Sequence, residues 1–294
     1  MHKPAISVVI PCYNAKKFLG ATLAALRAQS FTDWEAIVID DGSTDNSSDI
    51  AWGLSQADKR ISVSWQTNFG VSFSRNRGAE LAKADIVAFL DADDVWHPDF
   101  LNEMFAFMQA KPERAVGFAR ARFVTFEGTP TRAVSRSKLK NLSTADFLSG
   151  NPTTTCSNLV VRRDAFLKSG GFKKGLNHAE DQLWLLQMHL NGEVIEGHDK
   201  ILLDYRTNNA GLSSDVEAMR KGWDEMVMTV QSIYPNIITP ALPRARAQNL
   251  LYLAKRAMRT GQGLPAAFSY VHASIKADWP TLPLAISAAI QARI

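Results

Sequence analysis

The sequence predicts an α/β protein whose mostly parallel central sheet is flanked by helices and followed by a helical C-terminal extension. Two observations predict this class. Short β-branched runs alternate with segments of helical spacing in the first half of the chain, and helical spacing alone continues from about residue 216. Of the 294 residues, 46% are hydrophobic and 21% are charged. These values are ordinary for a globular protein and exclude collagen-like, disordered and disulfide-scaffold classes.

Four short apolar runs are predicted as parallel strands, at residues 6–10, 34–39, 61–65 and 86–90. Helical spacing comes after each run, at residues 15–30, 44–56 and 74–83 and after Pro98. A strand, a helix and a second parallel strand form a right-handed crossover. Sheets of this kind bind ligands at the carboxyl ends of their strands. The polar clusters directly after the runs are therefore the candidate site.

The second half of the chain is predicted to change from strands to helices. Strand-like runs cover residues 116–126 and 158–161, and a polar, basic stretch at 129–140 lies between them. Helices are predicted at residues 180–191, 216–234, 240–260 and 264–277, with breaks at Pro235, Pro240, Gly261 and Pro265. The predicted domains are therefore residues 1–215 and a helical extension over residues 216–294.

Cysteine content and charge bear on compartment and partners. The two cysteines, Cys12 and Cys156, favour a reducing compartment, and no leader-like or membrane-spanning run is present, so a cytoplasmic location is expected. The basic excess lies in residues 216–294, which hold nine Lys or Arg and four Asp or Glu. This excess is compatible with anionic lipid at the inner face of the membrane, a solvated face or a dimer contact. No nucleic-acid partner is expected, since nothing in residues 1–215 supports one.

An acidic pair comes after the fourth strand. Asp91 and Asp93 are two residues apart directly after the apolar run 86–90, and two such carboxylates can share one cation. Carboxylate oxygens suit Mg²⁺ or Mn²⁺, and Mg²⁺ is commonly held by one or two carboxylates together with substrate phosphates. The alternative is a solvated turn, which the position at a strand end disfavours.

Three further polar clusters stand near strand or helix ends. Asp40 and Asp41 precede Gly42, where an acid can accept hydrogen bonds from a base or a ribose, although a helix cap explains part of the cluster. Asn68 and Arg75 lie in the third loop and helix, and an arginine there can meet a phosphate. Glu180 and Asp181 open an apolar helix, where acids are also favoured by the helix dipole.

Six segments in order resemble the family 2 glycosyltransferases over roughly residues 5–215. They are SVVIPCYN (7–14), IDDGSTD (39–45), TNFGVSFSRNRG (67–78), FLDADD (89–94), GGF (170–172) and AEDQLWLL (179–186). The resemblance implies a nucleotide-sugar-binding fold of the glycosyltransferase A type. It also implies an inverting enzyme that depends on Mn²⁺ or Mg²⁺.

The resemblance also implies a role for each matching residue. The donor would be a UDP-sugar, and its nucleotide would be contacted by Pro11, Tyr13, Asp40, Asp41, Asn68, Arg75 and Asp91. Asp93, with Asp91 beside it, would hold the metal on the diphosphate. Asp181 would be the catalytic base, with Glu180 beside it. One base suffices for a single displacement at the anomeric carbon, because it takes the proton of the incoming hydroxyl.

The expected function is transfer of one sugar to an oligosaccharide or lipid-linked glycan in cell-surface polysaccharide synthesis. The Gln-x-x-Arg-Trp signature of processive synthases is absent from the sequence. Many relatives carry a His shortly after a Tyr-Arg pair, whereas here Tyr205 and Arg206 are followed by Asn208. That departure keeps open a second hypothesis, a non-catalytic nucleotide-sugar-binding protein of the same fold.

Overall fold

The structure is a computed structural model that describes residues 2–207 and 214–278. The chain forms two compact units. The first consists of Met1–Leu142, Thr153–Gly175 and Asn191–Thr207, and the second of Ser143–Pro152, Leu176–Leu190 and the described part of Asn208–Ile294. Two segments that precede residue 215 thus join the C-terminal helices. The division into functional domains at residue 215 stays a prediction.

All strands of the described residues belong to the first unit and form one nine-stranded sheet. They are β1 (Ile6–Cys12), β2 (Trp34–Asp40), β3 (Ile61–Trp65), β4 (Ile86–Phe89), β5 (Val95–Trp96), β6 (Arg114–Val124), β7 (Pro130–Val134), β8 (Leu159–Arg162) and β9 (Val194–Arg206). The order is β3-β2-β1-β4-β8-β6-β9-β5, and β7 pairs with β6. The four predicted strands are therefore neighbours in the sheet.

The directions of the strands determine at which edge of the sheet the candidate site residues lie. β1 to β4 pair in parallel, so their carboxyl ends lie at the same edge. β8 is antiparallel to both β4 and β6, and β9 is parallel to β6. Consequently β6 and β9 run in the same direction as β4, and the end of β9 at Arg206 lies at that same edge.

The helices of the first unit cover the sheet because their apolar faces are buried against it. They are α1 (Leu19–Arg27), α2 (Ser47–Ala57), α3 (Val71–Leu81), α4 (Phe100–Gln109) and α6 (Arg163–Lys168). One large core joins β-branched side chains of the parallel strands, such as Val8 and Val38, to Leu23 of α1 and Met104 of α4. α3 approaches β1 closely, since a Cβ at Gly78 would meet a methyl of Val9 at 2.2 Å.

The second unit is helical. It contains α5 (Thr144–Ser149), α7 (Glu180–Leu190), α8 (Val216–Ile233), α9 (Pro235–Arg259) and α10 (Gly263–Ala277). The indole of Trp223 in α8 donates to the carbonyl of Leu148 in α5 at 2.8 Å, which ties two of these helices together. Smaller apolar clusters join Val216 of α8 to Leu253 of α9 and to α10.

The predicted α/β class is confirmed, and some element predictions are wrong. Pro240 does not break a helix, because α9 begins at Pro235 and includes Pro240 and Pro243. Pro235 occupies the first turn, where proline is well accommodated, whereas Pro240 and Pro243 lie inside the helix, and the buried Ile238 packs that end of it. The strands β5, β7 and β9 were not predicted. β9 lacks a regular apolar alternation, and its pairing with β6 is set by tertiary contacts.

Among residues 2–207 and 214–278, no helix combines the length and the apolar character that crossing a membrane requires. Asn208 and the C-terminal residues 279–294 lie outside the described residues.

Candidate active site

The acidic loop after β4 is held rigidly at the carboxyl edge of the sheet. The amide of Asp91 donates to the Ser157 hydroxyl at 3.0 Å. The hydroxyl of Thr22 donates to the carbonyls of Ala92 and Asp94, each at 2.9 Å. Because these contacts fix the backbone on both sides of Asp93, its half-buried carboxylate has a defined position.

Arg206, the last residue of β9, fastens the same loop from its other side. Its backbone amide donates to Oδ1 of Asp94 at 2.8 Å, and its Nε donates to the carbonyl of Asp93 at 2.9 Å. Its Nη1 donates to the carbonyl of Phe126 at 2.7 Å. The guanidinium thus donates to backbone carbonyls. Its positive charge therefore offsets only part of the negative charge of the acidic loop.

Negative charge is in excess in this loop. Burial, followed by the charge of Asp91, raises the pKa of Asp93 to about 6. Burial and the charges of Asp93 and Asp91 raise the pKa of Asp94 well above its ordinary value. Asp91 itself forms an ion pair with the buried Arg75, whose Nη2 lies 2.7 Å from Oδ1 of Asp91. A cation placed at Asp93 would therefore relieve electrostatic repulsion.

The oxygen ligands of this loop fit a divalent cation whose coordination shell is completed by substrate phosphates. Within the described parts of the chain, no three His, Cys, Asp or Glu side chains come together as a protein-only metal site. One or two carboxylates with substrate phosphates are, however, the usual set for Mg²⁺. Asp93 is the better ligand, because one oxygen of Asp91 is already engaged by Arg75.

We expect Mn²⁺ binding to weaken as the pH falls through about 6, the raised pKa of Asp93. Below that pH the carboxyl is protonated, and a metal must displace the proton, so the affinity falls by about tenfold per pH unit. Titration calorimetry from about pH 7.5 to about pH 5 measures this slope. Asp93→Asn serves as the control: it has no proton to displace, so its Mn²⁺ affinity is expected to be at least about 100-fold lower and not to follow this slope. A constant affinity for Mn²⁺ across the range would contradict the assignment of Asp93 as the ligand.

Asp40 and Asp41 lie at the end of β2, and the chain itself uses both carboxylates. Asp41 is 3% exposed. Its carboxylate accepts the amides of Phe69 at 2.9 Å and Gly70 at 2.8 Å and the Gln66 side chain at 2.7 Å. The fully buried Asp40 accepts the amide of Ser43 at 3.0 Å and the hydroxyl of Ser48. These acids shape the loops around the edge, and their contact with a nucleotide stays a prediction.

Asp41→Ala is expected to lower the free energy of unfolding by about 2–4 kcal/mol, because two backbone amides and one buried amide side chain lose a charged acceptor. Urea denaturation measures the change. Asp49→Ala is the matched control, since Asp49 is exposed in the first turn of α2 and contributes less than about 1 kcal/mol. Equal midpoints for Asp41→Ala and the wild type would contradict the anchoring role.

The remaining predicted nucleotide residues differ in how accessible they are. Tyr13 is 52% exposed, directly after β1, and Asn68 is exposed in the loop before α3. Both side chains are therefore open to a ligand. Pro11 lies buried within β1, and Arg75 is 5% exposed and paired with Asp91. Strand pairing aligns Cys12 with Asp40. Tyr13 and Asp41, the next residue of each strand, therefore follow neighbouring strands at the same level of the carboxyl edge.

Glu180 and Asp181 open α7 in the second unit, as the sequence predicts. The preceding residue, Ala179, has a φ of 62°, a left-handed conformation that costs energy for a residue with a side chain. Such strain is common at functional sites. Glu180 is buried, whereas Asp181 is half-buried.

Both carboxylate oxygens of Asp181 have a defined partner. Oδ1 accepts the amide of Gln182 at 2.7 Å, and Oδ2 accepts Nδ2 of Asn151 at 2.7 Å. The Gln182 side chain in turn donates to the carbonyl of Phe147 in α5. Asp181 is therefore oriented by groups of its own unit, which suits a residue that must present a lone pair in a fixed direction.

Two residues that contribute to these arrangements were not among the predicted site residues. In the sequence, Arg206 is noted only as part of a Tyr-Arg pair, and nothing there indicates its contact with Asp93. Asn151 lies in a loop, and no sequence pattern indicates its contact with Asp181. Both act through hydrogen bonds to residues far away in the chain. Single-sequence patterns do not encode such contacts.

Comparison with known proteins identifies relatives in sequence. The sequence profile described as "Glycosyl transferase family 2" matches residues 7–170. TuaG of Bacillus subtilis, a glycosyltransferase assigned to teichuronic acid biosynthesis, is 30% identical over 224 residues, covering 75% of this chain and 86% of that protein. EpsH of the same organism, assigned as a glycosyltransferase, is 28% identical over 227 residues, covering 75% of this chain and 65% of EpsH.

Solved structures with the same fold cover almost all of the chain. Residues 1–349 of S. aureus TarS, in complex with UDP-GlcNAc, give a TM-score of 0.65 at 22% identity, covering 92% of this chain and 81% of that one. The mannosyltransferase PcManGT from Pyrobaculum calidifontis, in complex with GDP-Man and Mn²⁺, gives a TM-score of 0.63 at 15% identity, covering 100% and 82%. The predicted fold type is thereby confirmed.

Proposed function

Since the chain belongs to glycosyl transferase family 2 and is a glycosyltransferase, we propose that it moves a single sugar from a UDP-sugar with inversion, in a metal-dependent reaction. The acceptor is a glycan or a lipid-linked glycan in cell-surface polysaccharide synthesis. The observation that carries the proposal is the acidic loop at the carboxyl end of β4, where the pKa of Asp93 is raised to about 6 by burial and by Asp91. A site with surplus negative charge suits a cation that carries a diphosphate.

The first unit supplies the donor side of the reaction. Asp93, with Asp91 beside it, would hold Mn²⁺ or Mg²⁺, which when bound neutralises the diphosphate leaving group. Tyr13 and Asn68 are exposed at the same edge and are available to contact the nucleotide. Arg75 holds the carboxylate of Asp91 in place through their 2.7 Å ion pair. Arg206 fixes the backbone of Asp93 and so maintains the direction of its carboxylate.

Asp181 supplies the acceptor side. Its carboxylate takes the proton of the acceptor hydroxyl while that oxygen attacks the anomeric carbon and the bond to the diphosphate breaks. Asn151 and the amide of Gln182 hold the two carboxylate oxygens in position. Because one base and one displacement suffice, the configuration at the anomeric carbon is inverted. Glu180 is buried beside Asp181, and we propose that it supports the base.

The relatives support the substrate classes. TarS is described in complex with UDP-GlcNAc and also with UDP, which supports a UDP-sugar donor. PcManGT is described with Mn²⁺, which supports a divalent cation. TuaG and the amylovoran biosynthesis glycosyltransferase AmsB of Erwinia amylovora are both assigned to polysaccharide synthesis. The last comparison covers 42% of this chain and 40% of AmsB at 35% identity.

Binding and turnover measured together test this function. We expect calorimetry to show UDP binding that requires Mn²⁺ or Mg²⁺, and we expect at least one member of a UDP-sugar panel to be hydrolysed or transferred. Binding without turnover, on a broad acceptor panel, would favour the non-catalytic alternative. No UDP binding with either metal would contradict the proposal. Titration with GDP or dTDP under the same conditions tests whether uracil is the preferred nucleobase.

A peripheral contact with the membrane at the cytoplasmic face is part of the proposal. α10 exposes Leu264 and Phe268 one helical turn apart, with Lys276 exposed further along the same helix. Apolar side chains beside basic ones are typical of helices that lie on anionic lipid. Sedimentation with vesicles that contain phosphatidylglycerol tests the contact, which Leu264→Ser with Phe268→Ser is expected to weaken. Equal sedimentation of the variant and the wild type would exclude this face.

A further inference from the structure

α8 contacts both of the segments that hold Asp181 within the second unit. One is the turn at Ala179, where α7 begins and where the carbonyl of Ala179 accepts the amide of Leu183 at 2.8 Å. The other is the segment that continues from α5 to Asn151, whose Nδ2 donates to Asp181 at 2.7 Å. The position of the Asp181 carboxylate therefore depends on how this turn and the end of α5 are held relative to each other.

Gly222 of α8 lies directly against the turn. A Cβ at position 222 would stand 2.6 Å from both the Cβ and the carbonyl oxygen of His178, the residue before Ala179. Backbone atoms do not move aside as the end of a flexible side chain does, so α8 reaches the turn only because residue 222 is a glycine. The contact confines Ala179, whose φ of 62° is a strained conformation that the surrounding structure must hold in place.

Trp223, the next residue of α8, contacts the other segment. It is 3% exposed, and its indole donates to the carbonyl of Leu148 in α5 at 2.8 Å. The same end of α5 also binds α7, since the Gln182 side chain donates to the carbonyl of Phe147. Leu148 precedes Asn151 by three residues, so the indole fixes the end of the helix from which Asn151 extends.

We propose that Gly222 and Trp223 are positioning residues for the catalytic base. This inference rests on the proposed function, because it takes Asp181 as the base. Two adjacent residues of one helix contact the turn before Asp181 and the helix end before its partner Asn151, so α8 sets how the two side chains meet. A base acts only within hydrogen-bond reach of the hydroxyl, and a displacement of about 1 Å can cost about 100-fold in rate. The helical extension thereby gains a role in the reaction.

The competing account is that the two residues only stabilise the helical unit. Both are buried, and they share α8 with the buried apolar residues Met226, Val227 and Val230. A role in packing alone predicts a loss of stability that is the same whether or not Asp181 is present. The positioning role predicts a loss of kcat that requires Asp181.

The kinetics of Gly222→Ala in two backgrounds separate the accounts. We expect this substitution to lower kcat by about 10- to 100-fold and to leave the affinity for UDP and Mn²⁺ unchanged. Added to Asp181→Asn, it should lower kcat no further, because the effects of residues that act as a unit are not additive. Trp223→Phe removes the N–H donor and is expected to lower kcat by about 2- to 10-fold. It carries the same comparison if Gly222→Ala does not fold.

Two further variants are matched controls. Gly53→Ala makes the same change in α2, where a Cβ meets nothing within 4 Å, and should leave kcat unchanged. Val230→Ala removes a fully buried side chain from α8 about two turns beyond Trp223, so it should lower the urea midpoint and leave kcat of the folded enzyme unchanged. Equal losses of kcat in Val230→Ala and Gly222→Ala would overturn the proposal. So would a full further loss in the Asp181→Asn background.

Hydrogen exchange tests the same inference without turnover. In Gly222→Ala and in Trp223→Phe, the backbone amides of residues 178–183 should exchange at least about tenfold faster than in the wild type, because the turn is no longer confined. The amides of β1 should keep their wild-type rates. Unchanged exchange at residues 178–183 in both variants would overturn the positioning role. Absent turnover of UDP-sugars by the wild type, or an unchanged kcat in Asp181→Asn, would instead contradict the proposed function itself.

Discussion

Asp181→Asn is expected to lower kcat for sugar transfer by about 10²- to 10⁴-fold, the contribution of a positioned general base. Asparagine has nearly the same shape, so its carbonyl can still accept a hydrogen bond from the amide of Gln182 or from Asn151. It cannot take up the proton of the acceptor hydroxyl. The affinity for UDP and Mn²⁺ is expected to stay unchanged, because the proposal assigns those ligands to Asp93 and other residues of the first unit.

Steady-state kinetics with a saturating donor measures the effect. Calorimetry with UDP and Mn²⁺ checks that the variant still binds the donor nucleotide with unchanged affinity. Asp199→Asn is the control, since Asp199 is 75% exposed and its ion pair with Arg120 lies on the surface. A kcat of Asp181→Asn within a few-fold of the wild type would remove Asp181 from the mechanism. Loss of UDP binding in the same variant would instead assign Asp181 to the donor.

Asp93→Asn is expected to abolish metal-dependent binding of UDP while making the metal-free protein more stable. Loss of a group that merely orients a ligand costs about 10–100-fold in metal affinity, so loss of the ligand itself is expected to cost at least about 100-fold. Stability increases because the ionised Asp93 is disfavoured in the folded chain, where burial and Asp91 raise its pKa to about 6. The gain is on the order of 1–3 kcal/mol at neutral pH.

The sign of this stability effect gives an internal check. A carboxyl with a raised folded pKa makes the folded state bind more protons than the unfolded state between about pH 4 and about pH 6, so its contribution to stability falls as the pH rises through that window. The difference between Asp93→Asn and the wild type should therefore vanish below about pH 4. Urea denaturation without metal at several pH values measures it. A variant that is less stable than the wild type at neutral pH would contradict the assigned charge repulsion.

The parallel half of the sheet and the position of the acidic loop could be predicted from the sequence, for a physical reason. Strands buried on both faces require continuous apolar runs, such as residues 86–90, and a parallel sheet exposes the residues after each run at one edge. The location of Asp91 and Asp93 at the carboxyl edge of the sheet could thus be predicted from their position after this run alone. β9 could not be predicted in this way, because its 13 residues mix exposed polar and buried apolar positions.

The roles of individual acids are less predictable than their positions. Asp41 looks from the sequence like an acid open to a ligand, yet its carboxylate accepts three hydrogen bonds from residues 66–70. Those partners lie 25 or more residues away in the chain, and only the pairing of β2 with β3 brings them close. Asn151 becomes a candidate for positioning Asp181 by the same kind of contact, across a separation of 30 residues.

The configuration of the sugar released from the donor tests the central claim most directly. If Asp181 acts as the single base in one displacement, ¹H NMR at early times should show that an α-linked UDP-sugar gives the β-anomer first, with water or with a glycan as acceptor. Early appearance of the α-anomer would require a second nucleophile and a covalent intermediate. That result would contradict the account in which Asp93 secures the departing diphosphate and Asp181 alone activates the acceptor.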